Sequence, residues 1–438
     1  MGTSFQSGAT GMRVNVKMYP DDRGEKNLIQ LYKRNRRRMM RKALWFFGIL
    51  LIVAPLLLSE VKNADKPLRG EWDFKLVKEW EIDSAGADVF GVPSYMQVSD
   101  EGTLYVYDKE NKNNYMFDRN GAFIKTYGRK GQGPGEARDQ SSLFLVDDKL
   151  LIVDIGRIHY FQLDGTYLES SVNSLYSRRP VLFLNSNEFM AVPLGLFEAP
   201  DFQAQIKRIN LESGQETVIA NFEIFKGGIG QAGKMVGSLI IPGLTPLMTV
   251  GYGNRRLYYG RSDTYNIQVT DLNGRLLNTF SLDRKKKSVP KDIKRQFFGR
   301  YSSMRKQALD QIIETTPNEA TYFCRIEVHM GLIYVFVPDI SRHNQQQIDI
   351  FSPEGKYLYR GIITIEDNLT MMEPQIHNPY IKDDWLYLSV MDENDNVKII
   401  KYKISLPELR DVPYSSRMVQ ERGRSIIPAI KSPFTTQS

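Results

Sequence analysis

Apolar and polar residues alternate over short stretches, and this pattern recurs six times along the chain. Each copy has an apolar strand rich in Leu, Tyr and Val, then a second strand that usually runs through an Asp/Asn/Glu-Gly turn into a third. The clearest copy covers residues 102–127. Alternation with a period of two predicts half-buried strands, and Gly in the turn supplies the positive φ of a tight hairpin.

The length of the repeat predicts a β-propeller. Repeats of roughly 40–50 residues built from short strands are typical of propeller blades. The other five copies lie at 149–168, 188–219, 256–280, 331–359 and 384–402.

The last copy lacks its fourth strand, because Pro407 follows it closely, while residues 74–82 form an outer strand without a blade. Pairing the two would leave no open ends in the ring. The sequence therefore predicts an all-β, six-bladed β-propeller over residues 74–405, closed between 74–82 and 384–404.

Two insertions interrupt the repeats. Residues 225–247 are rich in Gly and Pro and predict a loop over one face of the ring. Residues 284–316 begin with four basic residues, and from Ile293 to Ile312 apolar residues fall at helical spacing after Pro290, which suits a helix start. We expect a helical insert packed on the ring, and a helix that binds a membrane surface or a partner is the alternative.

A Gly-rich motif follows the first copy. Gly131, Gly133, Pro134, Gly135 and Glu136 resemble the Gly-x-Gly-Pro-Gly-Glu signature of the bacterial six-bladed β-propeller family, which is related to NHL-repeat proteins. The resemblance implies the fold and says little about activity. We interpret the motif as structural, because Gly and Pro permit the sharp path from one blade to the next. A phosphate-binding loop is the less favoured alternative, because no helix start or Lys-Ser/Thr pair follows.

The N-terminal region predicts that the protein is exported to, or anchored in, the cell envelope. A basic tail (1–42) precedes sixteen uncharged residues (43–58), the order found in signal peptides and in membrane anchors. Sixteen residues span about 24 Å as a helix, short of the ~30 Å hydrocarbon core, and Pro55 weakens a continuous span. Translation from Met39 or Met40 would give an ordinary secretory signal. Cleavage fits better after Ser59 than after Ala64.

The distribution of charge argues against nucleic-acid binding. Residues 1–64 hold 12 Lys/Arg and 4 Asp/Glu, a net of +8, and the remainder holds 46 and 47, a net of −1. The excess of basic residues thus belongs to the N-terminal region, where it would set the orientation of the chain in the membrane. The lone Cys324 excludes an intramolecular disulfide, and a large ring does not need one.

Candidate chemistry is sparse in the sequence. His159, His329, His343 and His377 are each interpreted as satisfied or exposed histidines, and no set of residues at matching offsets predicts a metal site or a nucleophile with its base. We expect no cofactor, no metal and no catalytic residues.

The favoured function is an exported or membrane-tethered binding or scaffold module of the periplasm or cell envelope. Its partner would be a protein or a small ligand on one propeller face, with membrane contact through 43–58 if this segment is uncleaved. The alternative is a metal-dependent hydrolase or lyase of the NHL or lactonase type. We expect residues 225–247 and 284–316 to border the binding face, with Tyr252, Arg255 and Arg300 as ligand contacts. Residues 406–438 form a C-terminal tail.

Overall fold

The fold is a six-bladed β-propeller, seen in a computed structural model that describes residues 60–408 apart from 139, 155, 173–179, 193–202, 224–242, 302–309, 311, 312, 315 and 373–377. The predicted apolar segment (43–58) and most of the tail (406–438) lie outside these residues. Within the described part of the chain, no helix is long and apolar enough to cross a membrane.

Five short strands precede the first blade: β1 (Glu60–Ala64), β2 (Glu71–Trp72), β3 (Val77–Ile82), β4 (Ser84–Ala85) and β5 (Asp88–Val89). Blade 1 consists of β6 (Pro93–Val98), β7 (Leu104–Asp108), β8 (Asn113–Phe117) and β9 (Phe123–Tyr127). Blade 2 consists of β10 (Ser142–Val146), β11 (Lys149–Asp154), β12 (Arg157–Gln162) and β13 (Tyr167–Val172). Blade 3 consists of β14 (Pro180–Asn185), β15 (Glu188–Ala191), β16 (Gln203–Asn210) and β17 (Glu216–Glu223).

Blade 4 consists of β18 (Met248–Gly253), β19 (Arg256–Arg261), β20 (Asn266–Thr270) and β21 (Leu276–Asp283), followed by helix α1 (Lys291–Tyr301). Blade 5 consists of β22 (Arg325–His329), β23 (Leu332–Val337), β24 (Gln345–Phe351) and β25 (Tyr357–Thr364). Blade 6 contains β26 (Leu369–Met371), β27 (Tyr380–Lys382), β28 (Trp385–Asp392) and β29 (Val397–Lys403).

The ring closes as the sequence predicted. Strand β3 pairs antiparallel with β29, with Ile82 opposite Ile399 and Val77 opposite Lys403, and so supplies the outer strand of blade 6. Apolar clusters fill the seams between successive blades, and one of them joins blade 6 to blade 1 through Tyr387 and Val106. Buried Tyr and Phe side chains provide much of this packing, because wide aromatic rings fill the space between twisted sheets.

The chain N-terminal to β3 also belongs to the propeller, which the sequence did not predict. Strand β1 pairs in parallel with β21, and β2 pairs in parallel with β25, so blades 4 and 5 each have five strands. We call residues 60–72 the strap.

The insert after blade 4 contains the predicted helix. Helix α1 begins directly after Pro290, and Ile293 contacts a small core formed with Leu244, Ile313 and Ile340. The fully buried Lys294 donates hydrogen bonds from Nζ to the carbonyl of Thr316 at 2.6 Å and to Asn318 at 2.8 Å. The beginning of the insert is therefore packed against the end of the insert.

Candidate functional site

Three ionisable side chains lie in a row on the innermost strand of blade 5. The first strands of blades 1 to 5 contact one another in sequence, and β27 of blade 6 contacts β6, so these strands border the central axis. On β22, Arg325, Glu327 and His329 are two residues apart and therefore share one face of the strand. We call them the inner-strand triad. Their side chains are 13%, 24% and 19% exposed, so each can contact a ligand without leaving the seam.

The carboxylate of Glu327 joins the triad. Its Oε1 lies 3.0 Å from Arg325 Nε, and its Oε2 lies 2.7 Å from His329 Nε2. Arg325 also donates from Nη2 to the carbonyl of Pro379 in blade 6, at 2.7 Å, and stacks on the ring of Phe336 at 3.8 Å. Arg325 therefore connects the triad to the next blade.

The surroundings of the triad keep Glu327 ionised. Burial alone would raise the pKa of this carboxyl, but Arg325 and His329 hold its pKa below the ordinary value. Burial, with a contribution from Glu327, raises the pKa of Tyr380 across the seam. Tyr334 lies opposite Glu327 on β23, and its buried hydroxyl has no hydrogen-bond partner among the described residues.

The fold does not require charges at these positions. The corresponding face of β18 carries Gly251 and Gly253, where a Cβ atom would collide with Ile326 and Val328 of blade 5. On β10 the corresponding Phe144 and Val146 pack against blade 3, and on β6 Tyr95 packs against blade 2. On this face blade 1 has the polar Gln97 and blade 6 has Lys382, which pairs with Asp100. Buried ion pairs contribute little net stability, so a row of three linked ionisable groups where blades 2 and 4 use apolar or small residues favours a role in recognition or chemistry.

The sequence did not predict the triad, because His329 was compared only with His377, which lies outside the described residues. The signal for the triad is the Arg-x-Glu-x-His pattern, whose period of two places three ionisable groups on one face of a strand.

Other candidate ligands for a metal are dispersed. Among the described residues, no group of three or more His, Cys, Asp or Glu side chains is arranged to hold a metal ion. His159 is buried in blade 2, where its Nδ1 lies 2.7 Å from Ser170 Oγ. Burial raises the pKa of the Cys324 thiol to about 12.

The three predicted contact residues lie at different places. Tyr252 is near the end of β18, and Arg255 occupies the tight turn between β18 and β19, with φ of 58°. The insert at 225–247 enters β18 from its other end, so Arg255 lies at the opposite end of the blade from that insert. Arg300 belongs to helix α1, and its side chain lies outside the described part of the structure, as does most of the 225–247 loop.

The Gly-rich motif forms a turn around its own carboxylate. Glu136 accepts hydrogen bonds from the backbone N–H groups of Gln132 at 3.1 Å and Gly133 at 2.9 Å, and pairs with Arg129 at 2.9 Å. A Cβ atom at Gly131 would lie 1.9 Å from Glu136 Oε2, and Gly135 has a φ of +72° beside Tyr167. Glu136 thus uses the N–H groups that a phosphate would need.

Comparison with known proteins agrees with this fold. Residues 89–190 match the model of a family described as a 6-bladed beta-propeller, which confirms the resemblance seen in the sequence. No curated protein sequence is similar to the chain.

Several solved structures are similar in fold. A protein of Bacteroides fragilis, provisionally described as exported, has 13% identity and a TM-score of 0.45, covering 80% of this chain and 100% of its own. A duf4221 family member from Bacteroides vulgatus has 11% identity and a TM-score of 0.48, covering 76% and 98%. Virginiamycin B lyase from Staphylococcus aureus has 12% identity and a TM-score of 0.38, covering 76% and 100%.

Proposed function

We propose that the protein is an exported or membrane-tethered binding module whose propeller holds a small polar ligand at the inner-strand triad. The observation that carries the proposal is the row of Arg325, Glu327 and His329 on the innermost strand of blade 5, where blades 2 and 4 carry apolar or small residues. Ligand sites typically combine mostly apolar walls with a few placed polar groups. The rings of Tyr334, Phe336 and Tyr380, which adjoin the triad, would supply such walls.

The triad offers complementary groups for a polar ligand. The Arg325 guanidinium donates, the Glu327 carboxylate accepts, and the imidazole of His329 does either according to its tautomer. A ligand with both donors and acceptors, such as a hydroxy acid, an amino acid or a sugar acid, suits this set best. Because the carboxylate is already oriented by two neighbours, binding would require little rearrangement.

A thermal-shift screen of small hydroxy acids, amino acids and sugar acids tests the proposal. Ligand at 100 times its Kd adds about 2.7 kcal/mol to the free energy of unfolding, which is a shift of several degrees in Tm. We expect compounds that stabilise the wild-type protein to lose most of this effect in the Glu327→Gln, His329→Asn variant.

Thr249→Val provides the matched control. Thr249 lies on the innermost strand of blade 4, and its substitution by Val removes no charge. A compound that stabilises the wild-type protein and the triad variant equally would place the ligand elsewhere.

A further inference from the structure

The strap shows how the outer edge of this propeller accepts an extended segment. Strand β1 adds in parallel to β21 through residues 60–64. Asn63 then spans the groove between blades 4 and 5: its Nδ2 donates to the carbonyls of Ser281 at 3.0 Å and Gly355 at 2.9 Å, and its Oδ1 accepts from Tyr357 N at 2.9 Å. The occupied groove is thus bounded by an outer strand and by the last hairpin turn of the following blade.

The corresponding groove between blades 1 and 2 is open. It is bounded by the outer strand β9 and by the last hairpin turn of blade 2, and its volume is about 490 Å³. Gly165 in this turn corresponds to Gly355, because each packs against the preceding outer strand: a Cβ atom would meet Lys125 and Tyr127 at Gly165 and Phe280 at Gly355. In the part of the chain that the structure describes, no strand pairs with the outer side of β9.

The chemistry of this groove differs from that of the strap groove. Its floor is apolar, formed by Tyr105, Met116 and Leu163. The carboxylates of Glu101 and Asp164 and the ammonium of Lys125, which attracts Asp164, also line it. On β9, Phe123 is 38% exposed and Ile124 is 49% exposed. An unpaired strand edge beside an apolar groove is a favourable template for a further strand, and alternate side chains of that strand would enter the groove.

We propose that the groove between blades 1 and 2 binds an extended peptide segment of another protein, which adds as a strand to β9. The segment would alternate apolar and basic residues. An apolar side chain would contact Met116 and Leu163 on the floor, and a Lys or Arg would pair with Glu101 and Asp164. The acidic pair selects a basic segment, whereas the strap groove pairs the acidic Asp65 with Arg284 and Arg360.

Fluorescence anisotropy with a labelled, end-blocked heptapeptide of alternating Val and Lys tests the proposal on the full chain. We expect saturable binding that weakens roughly tenfold or more in the Glu101→Lys, Asp164→Asn variant. Asn at 164 keeps an acceptor for the Thr166 backbone N–H, so the turn is preserved. The control is Glu212→Lys, which should leave binding unchanged. Glu212 is an exposed residue in the equivalent turn of blade 3.

Three further measurements identify the mode of peptide binding and the occupant of the groove. Two peptides are methylated on complementary sets of alternate nitrogens, and at least one of them should fail to bind, because strand addition needs the N–H groups of one edge. The proposal is overturned by an absence of saturable binding, by equal binding to the groove variant, or by unchanged binding of both methylated peptides. It is also overturned if a chain ending at Glu408 binds the peptide more tightly than the full chain, or if the groove variant dissociates a dimer. Those last results would assign the groove to the chain's own C-terminal segment or to a second copy.

Discussion

At the scale of single residues, the seam between blades 4 and 5 depends on a buried carboxylate with a complete set of partners. Asp349 is fully buried and accepts from the hydroxyls of Tyr265 and Tyr357, each at 2.7 Å, and from Arg284 at 2.5 Å. Arg284 also pairs with Asp65 of the strap at 2.7 Å. In the sequence Arg284 is only the first of four consecutive basic residues, because its partner Asp349 is distant along the chain.

His159 gives the fold a dependence on acid. Burial lowers the pKa of the imidazole and outweighs the attraction of Asp154, whose carboxylate lies 3.8 Å from Nε2. The folded protein therefore holds His159 neutral, while the unfolded chain takes up a proton below about pH 6.5. Stability from this group is complete above that pH and is lost as the pH falls below it.

We therefore expect His159→Asn to flatten the acid limb of the stability curve. Asn can keep a hydrogen bond to Ser170 but cannot take up a proton. Between pH 6.5 and pH 5, the free energy of unfolding should fall less steeply in the variant, by up to about 1.4 kcal/mol per pH unit. Urea titrations at several pH values measure this slope. Parallel curves for the two proteins would assign the proton uptake to other groups.

At the scale of elements, the N-terminal strands have two different tasks. Strand β3 completes blade 6, and the sequence predicted it because its alternation matches the missing strand of the last repeat. The strap was not predicted, because β1 and β2 are short and polar and their partners are outer edges, where backbone hydrogen bonds replace an apolar pattern.

Two shortened chains should separate these tasks. A chain beginning at Asp73 retains β3 and should fold cooperatively, with a lower free energy of unfolding because the edges of β21 and β25 lose their partners. A chain beginning at Ala87 also loses β3, exposes the edge of β29 and should aggregate. Sedimentation and urea unfolding measure both. A soluble, cooperatively folding chain from Ala87 would show that β3 is dispensable for closure.

At the scale of the whole molecule, the charge distribution and the N-terminal pattern indicate where in the cell the propeller lies. The basic residues precede the apolar segment, so we expect residues 65–438 to lie outside the cytoplasm. A reporter that is active only in the cytoplasm, fused after Ser438, should remain silent, and the same reporter fused to a chain lacking residues 1–58 should be active. Strong activity of the first fusion would contradict the predicted location.

The architecture was more predictable than the site. Alternation and turn residues recur in every blade, so six copies reinforce one another in the sequence. The triad occurs in one blade, and its meaning depends on comparing Arg325, Glu327 and His329 with their counterparts in other blades. That comparison requires the direction in which each side chain points, which follows from the pairing of β22 with β23.

The closing strand β3 is synthesised early and paired late. Residues 77–82 find their partners only when residues 397–403 exist, roughly 320 residues later, which is roughly 15–60 s at ordinary rates of synthesis. Until then the ring is an open arc, and the strap waits similarly for blades 4 and 5. Ring closure therefore follows translation. A chain exported across the membrane during synthesis would complete its ring only after export.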